Sequence, residues 1–228
     1  MTTVTRETYQ KSLASLREDV VAMGGLVVDR LEAAVESLTA ADEALARSVI
    51  DGDDAVNETY LDLEDRCTDL FALQQPVAGD LRFVAASFKI ITDLERVGDL
   101  ATNLARYALA GERALSADVA VAEIGRLAVG LVEDAIDAYA ADDAAACREI
   151  AVRDDEVDAL CQRASERVVR DLIEREADGD DPWAVERLLD DVSRVLLTVR
   201  DLERVADHAV NVAARTLYAA ENDPELIY

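Results

Sequence analysis

Lysine is nearly absent from this sequence: Lys11 and Lys89 stand alone, and every other base is arginine. Basic residues number 23 against 49 acidic ones, a formal net charge of −26, which repels a nucleic-acid backbone or an anionic lipid surface and excludes direct binding to either. Proline and glycine are scarce, at 3 and 9 in 228 residues, and no period-2 alternation bounded by turn residues occurs, which excludes a sheet-based fold. The three cysteines, Cys67, Cys147 and Cys161, are odd in number and lack C-x-x-C spacing. That excludes a disulfide framework or a zinc knuckle and leaves them as small buried hydrophobes. Long hydrophobic runs are missing as well. Charges cut every apolar stretch within about ten residues, short of the ~20 that span a bilayer, and no basic, apolar leader opens the chain. A soluble, cytoplasmic protein is expected.

What is present is an Ala-, Leu-, Val-, Glu- and Arg-rich chain, 51% hydrophobic and only 4% aromatic. The apolar fraction suffices for a packed core, so disorder is excluded as the main state. Asp outnumbers Glu, and with arginine replacing lysine this bias matches proteins of a salt-rich, halophilic cytoplasm, where screening relieves self-repulsion. An ordinary acidic protein of a GC-rich genome has the same composition.

The pattern predicts an all-α fold of six helices, over 6–38, 42–73, 78–110, 118–140, 143–177 and 182–220. Thr39 before Asp42 and Glu43, Pro76 with Gly79, Gly111, and Asp181 before Pro182 and Trp183 mark the ends. Short connections between long helices imply antiparallel neighbours. An internal repeat organises them: residues 93–105, DLERVGDLATNLA, align without a gap on 201–213, DLERVADHAVNVA, with nine of thirteen positions identical. The offset of 108 residues is close to half the chain. Two tandem antiparallel three-helix bundles follow, related by an internal pseudo-twofold, over 1–113 and 114–228.

Within the repeated segment, a helical wheel puts Glu95 inside the apolar arc of Val84, Phe88, Ile91, Leu94 and Gly98, with Asp99 on its margin. Glu203 and Asp207 repeat that phase, whereas His208 falls opposite the arc and is expected in solvent. A carboxylate aimed at a core costs several kcal/mol unless partnered. Each Glu either pairs with an arginine of a neighbouring helix or binds something else. Antiparallel register favours the second. A turn centred on Pro76 brings Asp53 level with Asp99 and Asn57 level with Glu95; one centred between Asp180 and Asp181 brings Asp154 level with Asp207 and Asp158 level with Glu203. Four oxygen donors from two helices thus converge in each bundle, a hard-ligand set suited to Mg²⁺, Mn²⁺, Fe or Ca²⁺.

With DLERVGD and DLERVAD, the upstream SVIDGDDAVNETYLDLEDRC, QQPVAGDLR and the duplicated plan, nearly the whole chain resembles the PhoU family of phosphate-transport regulators. The resemblance implies two pseudosymmetric three-helix bundles and E(D)-x-x-x-D motifs that carry metal ions or iron clusters. Those motifs fall on Glu95 and Asp99, Glu203 and Asp207, and Asp154 with Asp158; the Asp53 to Asn57 copy departs from the pattern, leaving Asn57 a weaker ligand. Ala206 stands where the first repeat has Gly98. The metal, Mg, Mn, Fe or Zn, is not specified. The resemblance further implies a stand-alone, non-enzymatic cytoplasmic homodimer that restrains a phosphate ABC transporter through its ATPase subunit, and in bacteria a sensor kinase. It would reach the membrane only through such partners. Two other classes stand beside it: a carboxylate-bridged metalloenzyme, and a metal-free adaptor whose carboxylates are satisfied by Arg96, Arg204 or other bases. A ferritin-like di-metal centre needs two Glu-x-x-His motifs, which one histidine cannot supply.

Overall fold

A computed structural model of the chain describes residues 2–73, 78–110, 120–176 and 182–227. The described residues form helices and their connections, without a strand. They are α1 (Thr2–Ala40), α2 (Glu43–Asp51), α3 (Asp53–Leu73), α4 (Ala78–Ala110), α5 (Val121–Ala141), α6 (Ala144–Glu176) and α7 (Pro182–Glu221). The six expected helices are present, and the second is interrupted once. At Gly52 the chain leaves helical geometry, with φ −88° and ψ 3°. A Cβ there would lie 2.5 Å from Nη1 of Arg30, a contact that real side chains do not make. The expected turn centres at Pro76 and at 180–181, and the division at 113/114, lie outside the described residues.

The two halves repeat each other in detail around the first corner of each. Ala41 and Asp142 both take left-handed φ, 53° and 52°. Asp42 and Asp143 follow as N-caps: the Asp42 carboxylate accepts from the N–H groups of Ala44 and Leu45 at 2.9 and 3.0 Å, that of Asp143 from Ala145 and Ala146 at 3.0 Å. Such caps satisfy donors that the first helical turn leaves free. Their backbone N–H groups reach back to Ser37 and Ala138. Each pair is 101 positions apart, 41 to 142 and 42 to 143.

In each half three helical layers pack together, α1 with α3 and α4, and α5 with α6 and α7. The halves then join through α1 on α5 and α4 on α7, so that α1, α4, α7 and α5 form an inner ring with α2, α3 and α6 outside it. A pseudo-twofold demands reciprocal contacts where α1 meets α5. They are found: Gly24 lies against Ile136, and Gly125, 101 positions on, lies against Val35. One hydrophobic core runs through both halves, including Leu16, Leu31, Ile91, Leu104, Ile124, Leu131, Leu202 and Leu217. Cys67, Cys147 and Cys161 are free thiols within it, as their spacing suggested. Gly98 lets α3 approach α4, since a Cβ would sit 3.1 Å from Cγ1 of Val56. Ala206 occupies that place in the second half and is fully buried.

Candidate metal centre

The carboxylates of each repeat project from the α3–α4 and α6–α7 helix pairs. Helical phase sets their depth: Glu95 and Glu203 are half-buried, while Asp99 and Asp207, one turn on, are exposed. On the facing helices Asp53, Asn57 and Asp154 are half-buried and Asp158 is exposed. Mutual electrostatic effects show which groups are neighbours. Burial raises the pKa of Glu95, and Asp99 and Asp53 raise it further; Asp99 is raised by burial and by Asp53. In the second repeat, burial together with Asp158, Asp207, Asp155 and Glu203 pushes Asp154 up to about 7. Asp158 and Glu203 are raised as well, again chiefly by burial and next by acidic neighbours. Among the described residues no three His, Cys, Asp or Glu groups are gathered as a set able to hold a metal ion. The groups stand within electrostatic range of one another without closing on a common point.

Arginine pairing does not account for these carboxylates. Among the described residues, Arg96 and Arg204 pair with Asp93 and Asp201 on their own helices, at 4.0 and 3.5 Å. Asp53 is the exception in the constellation. Its Oδ1 accepts from the Thr102 hydroxyl at 2.8 Å and from Nη2 of Arg30 at 3.3 Å, and its Oδ2 accepts from the Asn57 amide at 3.4 Å. Arg30 comes from α1 and is buried, and the same Nη2 donates to the Val49 carbonyl at 2.7 Å. Under the offsets above, the counterparts of Arg30 and Thr102 are Leu131 and Val210. Neither side chain can donate a hydrogen bond. Asp154, the counterpart of Asp53, accordingly has a buried Oδ1 with no partner.

That orphaned oxygen tests whether a cation fits. A buried carboxylate oxygen without a donor is a cost that a hard cation removes, and the second cluster supplies four anionic groups. The donor chemistry of the second cluster, all carboxylates with one oxygen left open, is of the kind a hard cation takes, although its groups do not close on one point. The first differs, because Asp53 already accepts from Thr102, Arg30 and Asn57, and Asn57 is neutral.

His208 corrects the expectation of a solvated residue. It is buried, its Nδ1 lies 2.9 Å from Oδ1 of Asp93, and Asn211 reaches the same oxygen at 3.4 Å. Reciprocally, the Tyr107 hydroxyl donates to Asp201 at 2.9 Å. The wheel had assigned α7 one buried arc. The helix has two, the second packed on α4 of the other half. Asp93, Arg30 and Thr102 were not singled out in the sequence either; an arginine in the apolar face of α1 and the Thr-to-Val difference between the two repeats were the signals available.

A family model described as PhoU domain matches the chain twice, over residues 20–108 and 121–216. The chain belongs to the PhoU family. A phosphate-specific transport system accessory protein PhoU homolog of Pseudomonas aeruginosa is 34% identical over 214 residues, covering 92% of this chain and 84% of the relative. One from Aquifex aeolicus is 33% identical over 215 residues, 93% of each chain. The crystal structure of PhoU from Pseudomonas aeruginosa superposes with a TM-score of 0.86 at 32% identity, covering 94% of this chain and all of that one. In this chain the carboxylates lie where an outer helix, α3 or α6, meets an inner one, α4 or α7. Among the described residues no helix is long and apolar enough to cross a membrane.

Proposed function

We propose that this chain regulates phosphate uptake, as an accessory protein of a high-affinity phosphate ABC transporter that it restrains through the ATPase subunit. The supporting observation is the full-length match to PhoU proteins in both repeats, together with relatives named as accessory proteins of the phosphate-specific transport system. The protein works in the cytoplasm as a homodimer, reaches the membrane only through its partners, and in a bacterial setting also contacts a sensor kinase. Its two units are the halves 1–113 and 114–228. The net charge of −26 supports a protein partner over nucleic acid or bare lipid. A deletion strain should take up phosphate under excess as though starved, or store it abnormally as polyphosphate. Unchanged uptake and storage across limiting and excess phosphate would overturn the assignment.

The second cluster, Asp154, Asp158, Glu203 and Asp207, binds a hard cation, Mg²⁺, Mn²⁺ or an iron ion, with Zn²⁺ the softer alternative. Drawing these carboxylates onto one ion replaces repulsion by attraction and gives the orphaned Asp154 oxygen a partner. The ion would supply structural order to the α6–α7 pair; no catalytic step is assigned to it. The single histidine, His208, is engaged with Asp93 between the halves, and one histidine cannot supply the two Glu-x-x-His motifs of a ferritin-like oxidase, which favours the regulator. Elemental analysis and Mn²⁺ titration of the purified protein, set against E203Q/D207N, test the site. Equal binding by the two proteins would assign these carboxylates a purely structural role.

A further inference from the structure

We infer that Arg30 is the resident cation of the first carboxylate cluster, so that its guanidinium stands where the second cluster takes an exchangeable ion and the chain has one such site instead of two. The inference rests on the proposed cation site of the second cluster and deepens it.

Three observations carry it. Arg30 is nine-tenths buried and is held from three sides, on the Asp53 carboxylate, the Thr102 hydroxyl and the Val49 carbonyl, at 3.3, 3.4 and 2.7 Å. All three contacts are made by Nη2, which fixes that end of the guanidinium on Asp53, while the buried Nε has no partner. Second, the surroundings are built for it. Gly52 interrupts the helix where a Cβ would strike Nη1 at 2.5 Å, and Thr102 donates to the same Asp53 oxygen that Arg30 contacts. Asn57 in place of an acid lowers the negative charge and donates to the other Asp53 oxygen.

Third, the second repeat reverses all four choices together. Leu131 replaces Arg30, Arg153 replaces Gly52, Val210 replaces Thr102 and Asp158 replaces Asn57. Arg153 does not take over the role, since its guanidinium pairs with Asp134 on α5. The first cluster thus sets a fixed guanidinium on Asp53, the carboxylate that neighbours both Glu95 and Asp99, whereas the second sets four carboxylates around an oxygen without a partner. A divalent ion entering the first cluster would meet a buried like charge and find Asp53 already bonded. In the second it meets only anions.

The test counts Mn²⁺ bound by the full chain, by equilibrium dialysis, alongside the thermal midpoint with and without Mn²⁺. Wild type should bind one ion per chain, E95Q/D99N should still bind one, and E203Q/D207N should bind none. Adding R30L/N57D to E203Q/D207N should restore one ion and a Mn²⁺-dependent rise in the midpoint. The converse transplant, L131R/R153G/V210T, should lose the ion while far-UV circular dichroism stays helical, and it decides the matter should the R30L chain fail to fold. Two ions on wild type with one lost in E95Q/D99N would overturn the inference while leaving the second site standing. So would Mn²⁺ persisting in the transplant, or no gain in the folded quadruple variant. Wild type binding no Mn²⁺ while the quadruple variant binds one would overturn the proposed second site and support Arg30 as the resident cation.

Discussion

At the scale of single residues, Asp154 sets the sign of a pH response. Its folded-state pKa is pushed up to about 7, chiefly by burial and next by Asp158, against roughly 3.9 for an unfolded aspartate. The folded protein therefore binds the proton more tightly than the unfolded one. Stability falls as pH rises from about 4 to about 7, since a charged, unpartnered carboxylate accumulates. Metal-free protein should melt at a higher temperature at pH 5 than at pH 8, and D154N should lessen the difference and stabilise the pH 8 state by about 1 kcal/mol. Circular dichroism melts in a chelating buffer check this; an equal slope in D154N would contradict it. Two adjacent glycines make a second test. Gly25 has open space around it, so G25A should gain about 0.5–1 kcal/mol from helix propensity. Gly24 is pressed against Ile136, with Cδ1 2.6 Å and Cγ1 2.8 Å from where a Cβ would lie, and overpacking of about 1–3 kcal/mol outweighs that gain. G24A should lower the chemical-denaturation midpoint and G25A raise it. Nothing in the run MGG distinguishes its two glycines until the α1–α5 crossing is known.

At the scale of the element, long apolar periodicity identified the helices, and the chemistry of their ends located the corners. The corner lies near Thr39 as expected, but Thr39 itself lies at the end of α1, its hydroxyl donating to the carbonyls of Val35 and Glu36, and Asp42 is the cap of α2. The interruption at Gly52 was not legible; the second repeat, with Arg153 at the equivalent place, runs on unbroken through α6. Left-handed geometry at the corner gives a prediction of its own. Ala41 holds φ 53°, where a Cβ is disfavoured, and its counterpart Asp142 holds 52° while its carboxylate pairs with Arg17 at 2.8 Å. Replacing Ala41 by Gly should raise stability by about 1 kcal/mol. D142G loses an ion pair at the same time, so its gain should be smaller. Urea denaturation of the two variants compares them directly.

At the scale of the whole molecule, a net charge of −26 surrounds one continuous core shared by both halves. Screening governs how much of that repulsion is felt, with a Debye length of ~30 Å at 0.01 M salt and ~3 Å at 1 M. The melting temperature should climb steeply from dilute buffer to molar KCl, as in a halophilic protein. A flat profile would remove salt adaptation as the reason for the composition. Because the halves interlock through α1–α5 and α4–α7, the transition should also be single, with near- and far-ultraviolet signals coinciding.

The helical class and the duplication are legible in the sequence, because periodicity and repeat are properties of one chain direction. The wheel puts Glu95 and Glu203 inside an apolar arc, and the structure leaves them half-buried. What each carboxylate meets follows from the packing of helices distant in sequence. Arg30 reaches Asp53 from α1, and Asp93 receives His208 from the opposite half, contacts that join residues 23 and 115 positions apart. A wheel drawn for one helix describes a single buried face, whereas α4 and α7 each bury a second against the other. Which charges are satisfied and which are left open depends on partners across those faces, and so the two clusters, alike in sequence pattern, differ in the folded molecule.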